Sequence, residues 1–298
     1  MKLKKFLTQL RDRRWRRFHW QRRFMRPETR ERVSARIARG RGEPASPSAD
    51  AIATAGDLRR EGLADLGRVL SEVQCAELCA YFAEKEVVDP YRDEHPPFRP
   101  HDSARHAACH VAYHRDEDVI GAPYLLGLAN DPRILDALHY YFGCRPVISY
   151  LAVWWSYPTE VGPQHSENFH RDVDDWSFIK LFVYLTDVGH EDGPHVYVRT
   201  SAASTRLNRI KRFRDEEVLR EFDEDKLAVQ TASAGSAFLE NTFGLHKGAP
   251  VERGARLMFQ AVYSLNPLPY GPPRPIASFD RCLEGDAGMR QTNRIYLS

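Results

Sequence analysis

Hydrophobic positions change their period near Pro146. After it come six short blocks, VISYLAVWWSY, DWSFIKLFVYLTDV, PHVYVRTS, DKLAVQTA, GSAFLEN and ARLMFQAVYSL, rich in β-branched and aromatic residues and bounded by Gly, Pro, Asp or Asn. Such blocks predict strands. A charged run, RDEEVLREFDE at about residues 214 to 224, predicts one helical insertion between them. Many short strands at this spacing predict a mainly β fold with flanking helices, a two-sheet jelly roll or barrel rather than a parallel α/β sheet.

Before Pro146 the texture is helical. Ser71 is placed to N-cap a run in which Val73, Leu78, Tyr81 and Phe82 recur at helical spacing, with Pro90 beyond it. Asp131-Pro132 opens a second helix (Ile134, Leu135, Leu138, Tyr141) that closes at Gly143. At the start of the chain, a helical arrangement puts Leu3, Phe6, Leu7, Leu10, Phe18 and Met25 on one broad stripe, with Arg13, Arg16 and Arg23 mostly elsewhere. Residues 40 to 56, GRGEPASPSADAIATAG, are Gly-, Pro-, Ala- and Ser-rich and predict a linker. The expected organisation is a basic extension over 1–41, a linker over 42–56, the folded domain over 57–270 and a tail over 271–298.

Charge sharpens that division. Residues 1–41 hold 16 Lys or Arg against three acids, whereas the other 257 residues hold 27 basic and 38 acidic side chains. The cationic segment suits an anionic membrane leaflet, a phosphate-rich partner or the protein's own acidic body; nucleic acid is the less expected partner. Five cysteines without a CxxC pair argue against a disulfide framework and for a reducing cytosol, with contact at the inner face of a membrane through the basic segment. No run approaches the length of apolar residues a membrane span needs.

Candidate chemistry lies in QHSENFHRD, residues 164 to 172. On a strand, side chains at i and i+2 share a face, so His170 and Asp172 can hold one metal ion from one segment. A third ligand would complete a two-histidine, one-carboxylate face with open positions, the arrangement of non-haem Fe(II) oxygenases. His165/Glu167 has equal spacing and the pair alone does not exclude it. His190/Asp192 sits among Gly189, Gly193 and Pro194 and reads as a solvated turn. His106, His110 and His114 are spaced four apart, but lack the internal carboxylate of HExxH. Downstream of His170/Asp172 come a strand, a Gly-Pro turn, a second strand, and then His246 with Arg256 ten residues on. A histidine and an arginine so spaced can flank one cavity, and a guanidinium can grip a carboxylate through two parallel hydrogen bonds.

The segments FHRDVDDWSFIKLFVYLTDVGHEDGPHVYV and FGLHKGAPVERGARLMFQAVYSL, with EGLADLGRVLSEVQCAELCAYF more weakly, resemble the phytanoyl-CoA dioxygenase-like family of Fe(II)- and 2-oxoglutarate-dependent oxygenases over about residues 57 to 266. The resemblance implies a double-stranded β-helix (cupin-like jelly roll) core. It implies His170, Asp172 and His246 as Fe(II) ligands, and Arg256 as the clamp on the distal carboxylate of 2-oxoglutarate. With O2 as the other co-substrate, the implied reaction hydroxylates a C–H bond of a small or lipid-linked metabolite, releasing succinate and CO2. Desaturation or ring formation stays open. Because halogenating relatives lack the carboxylate, Asp172 argues against halogenation. The chain departs from the family at Arg199-Thr200-Ser201-Ala202, where members often read Gly-Ser-His, which leaves the following loop less predictable. A rival from another class is a non-catalytic jelly roll that uses its basic arm on lipid or nucleic acid.

Further residues are candidates for the cavity. Lys180, inside the apolar run FIKLFVYL, would need a partner if buried; it can serve co-substrate or substrate anion, or lie outward at a strand end. Gln164, Asn168, Tyr150 and Trp154 are expected near a strand mouth and orient substrate. At least one of Trp154 and Trp155 is expected in the core, since neighbours on a strand face opposite ways. His195 is expected to be a hydrogen-bonded structural histidine. Arg253 is the rival to Arg256, set aside because it sits in a turn.

Overall fold

The computed structural model describes residues 9, 11–41, 46–102 and 106–298. Leu3, Phe6, Leu7 and Leu10 of the expected stripe lie outside the described residues, as do residues 42–45 of the expected linker.

Among the described residues, ten strands form two antiparallel sheets. In chain order they are β1 Leu63–Arg68, β2 Val87–Val88, β3 Val111–His114, β4 Val147–Ser156, β5 Phe178–Tyr184, β6 His195–Val198, β7 Leu227–Gln230, β8 Ser236–Glu240, β9 His246–Gly248 and β10 Arg256–Ser264. The large sheet runs β1-β8-β5-β10-β4-β3-β2, and the small sheet runs β7-β6-β9. This is a jelly roll with flanking helices, and all six strands expected after Pro146 are present.

The alternation of β4, β5 and β10 explains why their sequences read as almost continuous apolar runs. Both faces are covered. Leu151, Val153 and Trp155 of β4, Ile179, Leu181 and Val183 of β5, and Leu257, Phe259 and Ala261 of β10 pack outward into the main core beneath the helices. Ala152 and Trp154, Phe182 and Tyr184, and Met258 point inward, toward the small sheet. Trp154 and Trp155 therefore divide between cavity and core, as alternation requires. Lys180 shares the inward face. It is not at an edge, because β5 lies between β8 and β10.

Helix ends follow their local chemistry. Ser71 caps Glu72–Ala83 in a reciprocal capping box with Gln74, though Val73 on that helix is exposed rather than packed. Asp131 caps Pro132–Phe142, and Gly143 ends it at φ 70°, a left-handed conformation that suits a residue without Cβ. The charged insertion is a shorter helix, Asp215–Leu219.

Two boundaries differ from expectation. Within the predicted linker, Ala49–Arg60 is helical: Ser48 caps it, and Ala51, Ala55 and Leu58 are buried on one face. Alanine is the best helix former, and here it outweighs Gly56. The basic segment is part of the folded body. Its helices Arg13–Gln21 and Pro27–Arg39 bury Phe18, Gln21, Arg30 and Ala38. The Gln21 amide donates to the Val173 carbonyl at 2.6 Å, and the Arg30 guanidinium donates to the Asp175 carbonyl. The tail is integrated too, with Tyr296 buried and its hydroxyl accepting from the Leu151 amide at 2.8 Å. Among the described residues, no helix is long and apolar enough to cross a membrane.

Candidate metal centre

The site sits where the two sheets face each other. His170 and His246 form a hydrogen-bonded antiparallel pair, His170 N donating to His246 O at 2.9 Å and His246 N to His170 O at 3.0 Å. Residues opposite each other in such a pair send their side chains to the same face. The two imidazoles accordingly stand 4.2 Å apart between centroids. Asp172, two residues on, returns to that face, its amide donating to the Thr242 carbonyl at 2.8 Å.

Each histidine is oriented by its own backbone. Nδ1 of His170 donates to the Asn168 carbonyl and Nδ1 of His246 to the Gly244 carbonyl, both at 3.0 Å. That leaves both Nε2 lone pairs free for a metal. Nε2 of His170 lies 3.6 Å from Asp172 Oδ1, and Nε2 of His246 lies 3.3 Å from Asp172 Oδ2. One ligand atom from each residue lies within 4.8 Å of the others, so the three can hold one ion. Ligands at about 2.1 Å on adjacent octahedral positions stand about 3 Å apart, so the donor set fits with small adjustments. Burial, then the neighbouring His246, pushes the His170 pKa well below its ordinary value, which favours the neutral ligand form. Burial opposes the Asp172 charge, but Lys180, His246 and His170 outweigh it and hold the carboxyl well below the usual range.

Arg171, between the two ligands, faces the other way and locks the loops. Its buried guanidinium donates to the carbonyls of Phe243 (2.7 Å), Ser201 (2.9 Å), Arg206 (2.9 Å), Leu207 (3.2 Å) and Ser204 (3.4 Å). Ser201, in the segment Arg199-Thr200-Ser201-Ala202, also accepts the Leu245 amide on its hydroxyl at 2.7 Å. Next to these, a Cβ at Gly244 would collide with the Tyr197 hydroxyl, so the chain entering β9 passes too close for any side chain. Arg171→Met is expected to destabilise the fold by about 3–5 kcal/mol, because it strips the donor from buried carbonyls. Urea unfolding of the metal-free protein reads this, and a loss within error of zero would refute the bracing role.

The metal face opens into a cavity of about 670 Å³. Arg256 lines it from the first residue of β10. Its Nη2 donates to Ser156 Oγ at 3.0 Å, while Nε and Nη1 are buried without a hydrogen-bond partner among the described residues. A buried guanidinium with unmet donors suits a carboxylate ligand. Arg253 is exposed and pairs with Glu191 at 3.0 Å instead.

Several expected residues have different surroundings. Lys180 reaches the cavity, but Nζ lies 2.6 Å from Asp172 Oδ2 and 3.3 Å from Asp174 Oδ2. Burial disfavours its charge, yet the two carboxylates hold its pKa above the ordinary value. Lys180 pairs with Val262, six residues along β10 from Arg256, which puts about 20 Å of strand between them. The carboxylates it meets are those of Asp172 and Asp174. Tyr150 and Trp154 line the cavity, whereas Gln164 and Asn168 do not. The Gln164 backbone N–H donates to the Glu167 carboxylate, and the Asn168 side-chain amide donates to the Pro163 carbonyl.

The competing histidines are accounted for. His165 stacks on Tyr91 at 3.8 Å, and Glu167 pairs with His110 at 2.8 Å. His114 is on β3 against Phe82, and burial lowers its pKa to about 4. His190 lies exposed in a turn. His195 is hydrogen-bonded as expected, 2.9 Å from Glu240, and also lines the cavity. Burial raises the Glu240 pKa to about 8; burial, then Arg256, lowers that of His195 to about 3. Cavity residues that sequence reasoning missed are Tyr113, Gln260, Arg212, Asp174 and Tyr270, the last donating to Asp174 at 3.2 Å, and Glu240 was missed as the partner of His195. For Asp174 and Gln260 the signal was parity: each shares a face with a residue already singled out.

Comparison with known proteins bears on the fold. No protein-family model matches the chain, and no curated protein sequence does. Among solved structures, the non-haem α-ketoglutarate-dependent epimerase SnoN from nogalamycin biosynthesis is 21% identical, with a TM-score of 0.53 over 80% of this chain and 94% of that one. A second SnoN structure, in complex with Fe3+, α-ketoglutarate and nogalamycin RO, gives 20% identity and a TM-score of 0.52, covering 76% and 93%. The chain has the fold of a non-haem iron, 2-oxoglutarate-dependent enzyme. In this chain, the inward strand faces carry the polar groups described above while the outward faces carry the core. HygX from Streptomyces hygroscopicus, solved with nickel and 2-oxoglutarate bound, is 15% identical with a TM-score of 0.47, covering 83% and 96%.

Proposed function

We propose that the protein is an Fe(II)- and 2-oxoglutarate-dependent oxygenase of the phytanoyl-CoA dioxygenase-like kind that hydroxylates an unactivated C–H bond of a small or lipid-linked metabolite. The observation that carries this reading is the convergence of His170 Nε2, His246 Nε2 and the Asp172 carboxylate on one point beside a cavity. When bound, iron and 2-oxoglutarate supply the oxidising power: O2 is consumed, 2-oxoglutarate becomes succinate and CO2, and the substrate C–H becomes C–OH. The chain's own residues do the rest. His170 and His246 present nitrogen donors on rings held by backbone carbonyls, and Asp172 adds one negative charge. Arg256 offers two free donors to the distal carboxylate. Tyr113 and Trp154, stacked at 5.5 Å, wall the cavity with apolar surface that excludes water. Gln260, Asp174 and Tyr270 provide polar atoms that orient the substrate.

SnoN, with this fold and these cofactors, is an epimerase, so a non-hydroxylating oxidation is the second reading. The test is anaerobic titration with Fe(II) and 2-oxoglutarate. A weak visible charge-transfer band is expected, followed by slow succinate release when air is admitted. Neither band nor succinate from the folded protein would overturn the proposal.

A further inference from the structure

The helix Arg13–Gln21 carries a face that the body leaves uncovered. Arg13, Arg16 and Trp20 recur at intervals of three and four residues, which places them along one side of the helix, and Arg23 follows in the turn just beyond its end. All four are exposed, Trp20 at 53%. The opposite side is occupied: Phe18 and Gln21 are buried, and Arg14 donates to the Pro272 carbonyl at 3.0 Å. Among the described residues, none of Arg13, Arg16 and Arg23 forms an ion pair. Asp12, the neighbouring acid, is already held by Arg14 at 2.8 Å. The Arg23 guanidinium lies 5.4 Å from the Trp20 ring, so indole and cation sit together at the surface.

Three unneutralised guanidiniums around a half-exposed indole have a definite complement. Guanidinium groups pair with phosphate oxygens through parallel hydrogen bonds, and indoles settle at the headgroup level of bilayers. The helical part of the face extends about 10 Å, from Arg13 to Trp20, at 1.5 Å per residue, and Arg23 continues it in the turn. It is backed along that length by protein, so it presents a stripe to a surface and has no means of wrapping a strand. The rest of the chain carries more acidic than basic residues, which opposes the approach of a polyanion that must be contacted on several sides.

We propose that this face docks the protein on the anionic surface of a lipid bilayer, with headgroup phosphates on Arg13, Arg16 and Arg23 and the Trp20 indole at the interface. The same helix stands beside the candidate catalytic cavity. Trp15 and Phe18 pack on Tyr270 at 6.4 and 5.5 Å between ring centroids, and Tyr270 lines that cavity. Docking through the outer side of this helix holds the cavity next to the membrane, where a lipid-linked substrate resides. That last clause rests on the proposed function; the docking does not.

The test is vesicle flotation of the full-length, metal-free protein, with phosphatidylcholine alone or mixed with phosphatidylglycerol. Wild type is expected on the mixed vesicles at low salt, not on the neutral ones, and to be released as salt rises. Arg13→Gln/Arg16→Gln/Arg23→Gln is expected to lower partitioning about 100-fold. Trp20→Ser should weaken binding but keep its salt dependence. Because all four side chains are exposed, the thermal midpoint should not move; if the triple variant misfolds, the salt titration and neutral-vesicle arm on wild type still decide. Equal binding to both vesicle types, wild-type binding by a folded triple variant, or preference for a duplex oligonucleotide at matched salt would overturn the proposal. Metal and 2-oxoglutarate are absent throughout, so failure here and failure of the oxygenase assay are separate results.

Discussion

His246→Ala is expected to weaken Fe(II) binding by more than about 100-fold, since loss of a ligand costs more than the 10–100-fold typical of losing a group that merely orients one. The backbone pairing between His170 and residue 246 does not involve the imidazole, so β9 stays in register. The remaining ligands, His170 Nε2 and Asp172 Oδ1, still lie 3.6 Å apart. Two donors do not define a face on an octahedral ion, and the positions that co-substrate and O2 need together are no longer fixed by the protein. Anaerobic calorimetric titration measures the loss, and near-UV circular dichroism checks the packing. An affinity within a factor of a few of wild type, in a folded variant, would remove His246 from the site. The charge-transfer band with 2-oxoglutarate should vanish together with the metal.

Arg256→Met separates co-substrate binding from metal binding. Losing a buried carboxylate partner costs about 2–5 kcal/mol, so the KM for 2-oxoglutarate is expected to rise between about 30-fold and several thousand-fold. The affinity for Fe(II) alone should change little, because Arg256 touches none of the three ligands. Stability should move in the opposite direction from activity. In the absence of ligand, the guanidinium is buried with Nε and Nη1 unpaired, whereas methionine fills similar space without polar atoms. Thermal unfolding of the ligand-free variant is therefore expected at the wild-type temperature or above it. A large loss of stability would mean that Arg256 holds the fold together rather than waiting for an anion. An unchanged KM would reassign the co-substrate grip to another residue.

Much of the scaffold was legible because its signals are local. Ser71 with Gln74, Asp131 before Pro132, and Gly143 are caps whose hydrogen bonds span only a few residues. The strands β4, β5 and β10 are long enough for composition to mark them. By contrast β9, His246–Gly248, has three residues and no apolar periodicity. It exists because β6 and the His170 segment flank it. The helix Ala49–Arg60 was hidden by the Gly, Pro and Ser around it, although Ala51, Ala55 and Leu58 at helical spacing were its trace. The basic segment read as an extension because charge counts do not reveal which arginines meet carbonyls; Arg30 does, and is buried.

Within the site, the same distinction holds residue by residue. The sequence alone determined that His170 and Asp172 share a face on an extended segment and that Trp154 and Trp155 face opposite ways, because a strand's period of two follows from backbone geometry. Only the tertiary structure decided that His246 pairs with His170 across the sheet, that Lys180 meets Asp172 and Asp174 some way from Arg256, and that Tyr270, within the expected domain, joins the cavity to the helix Arg13–Gln21. Contacts between residues far apart in the chain are set by which surfaces the sheets and helices bury together. That choice is made by the whole core at once, and no short segment carries it.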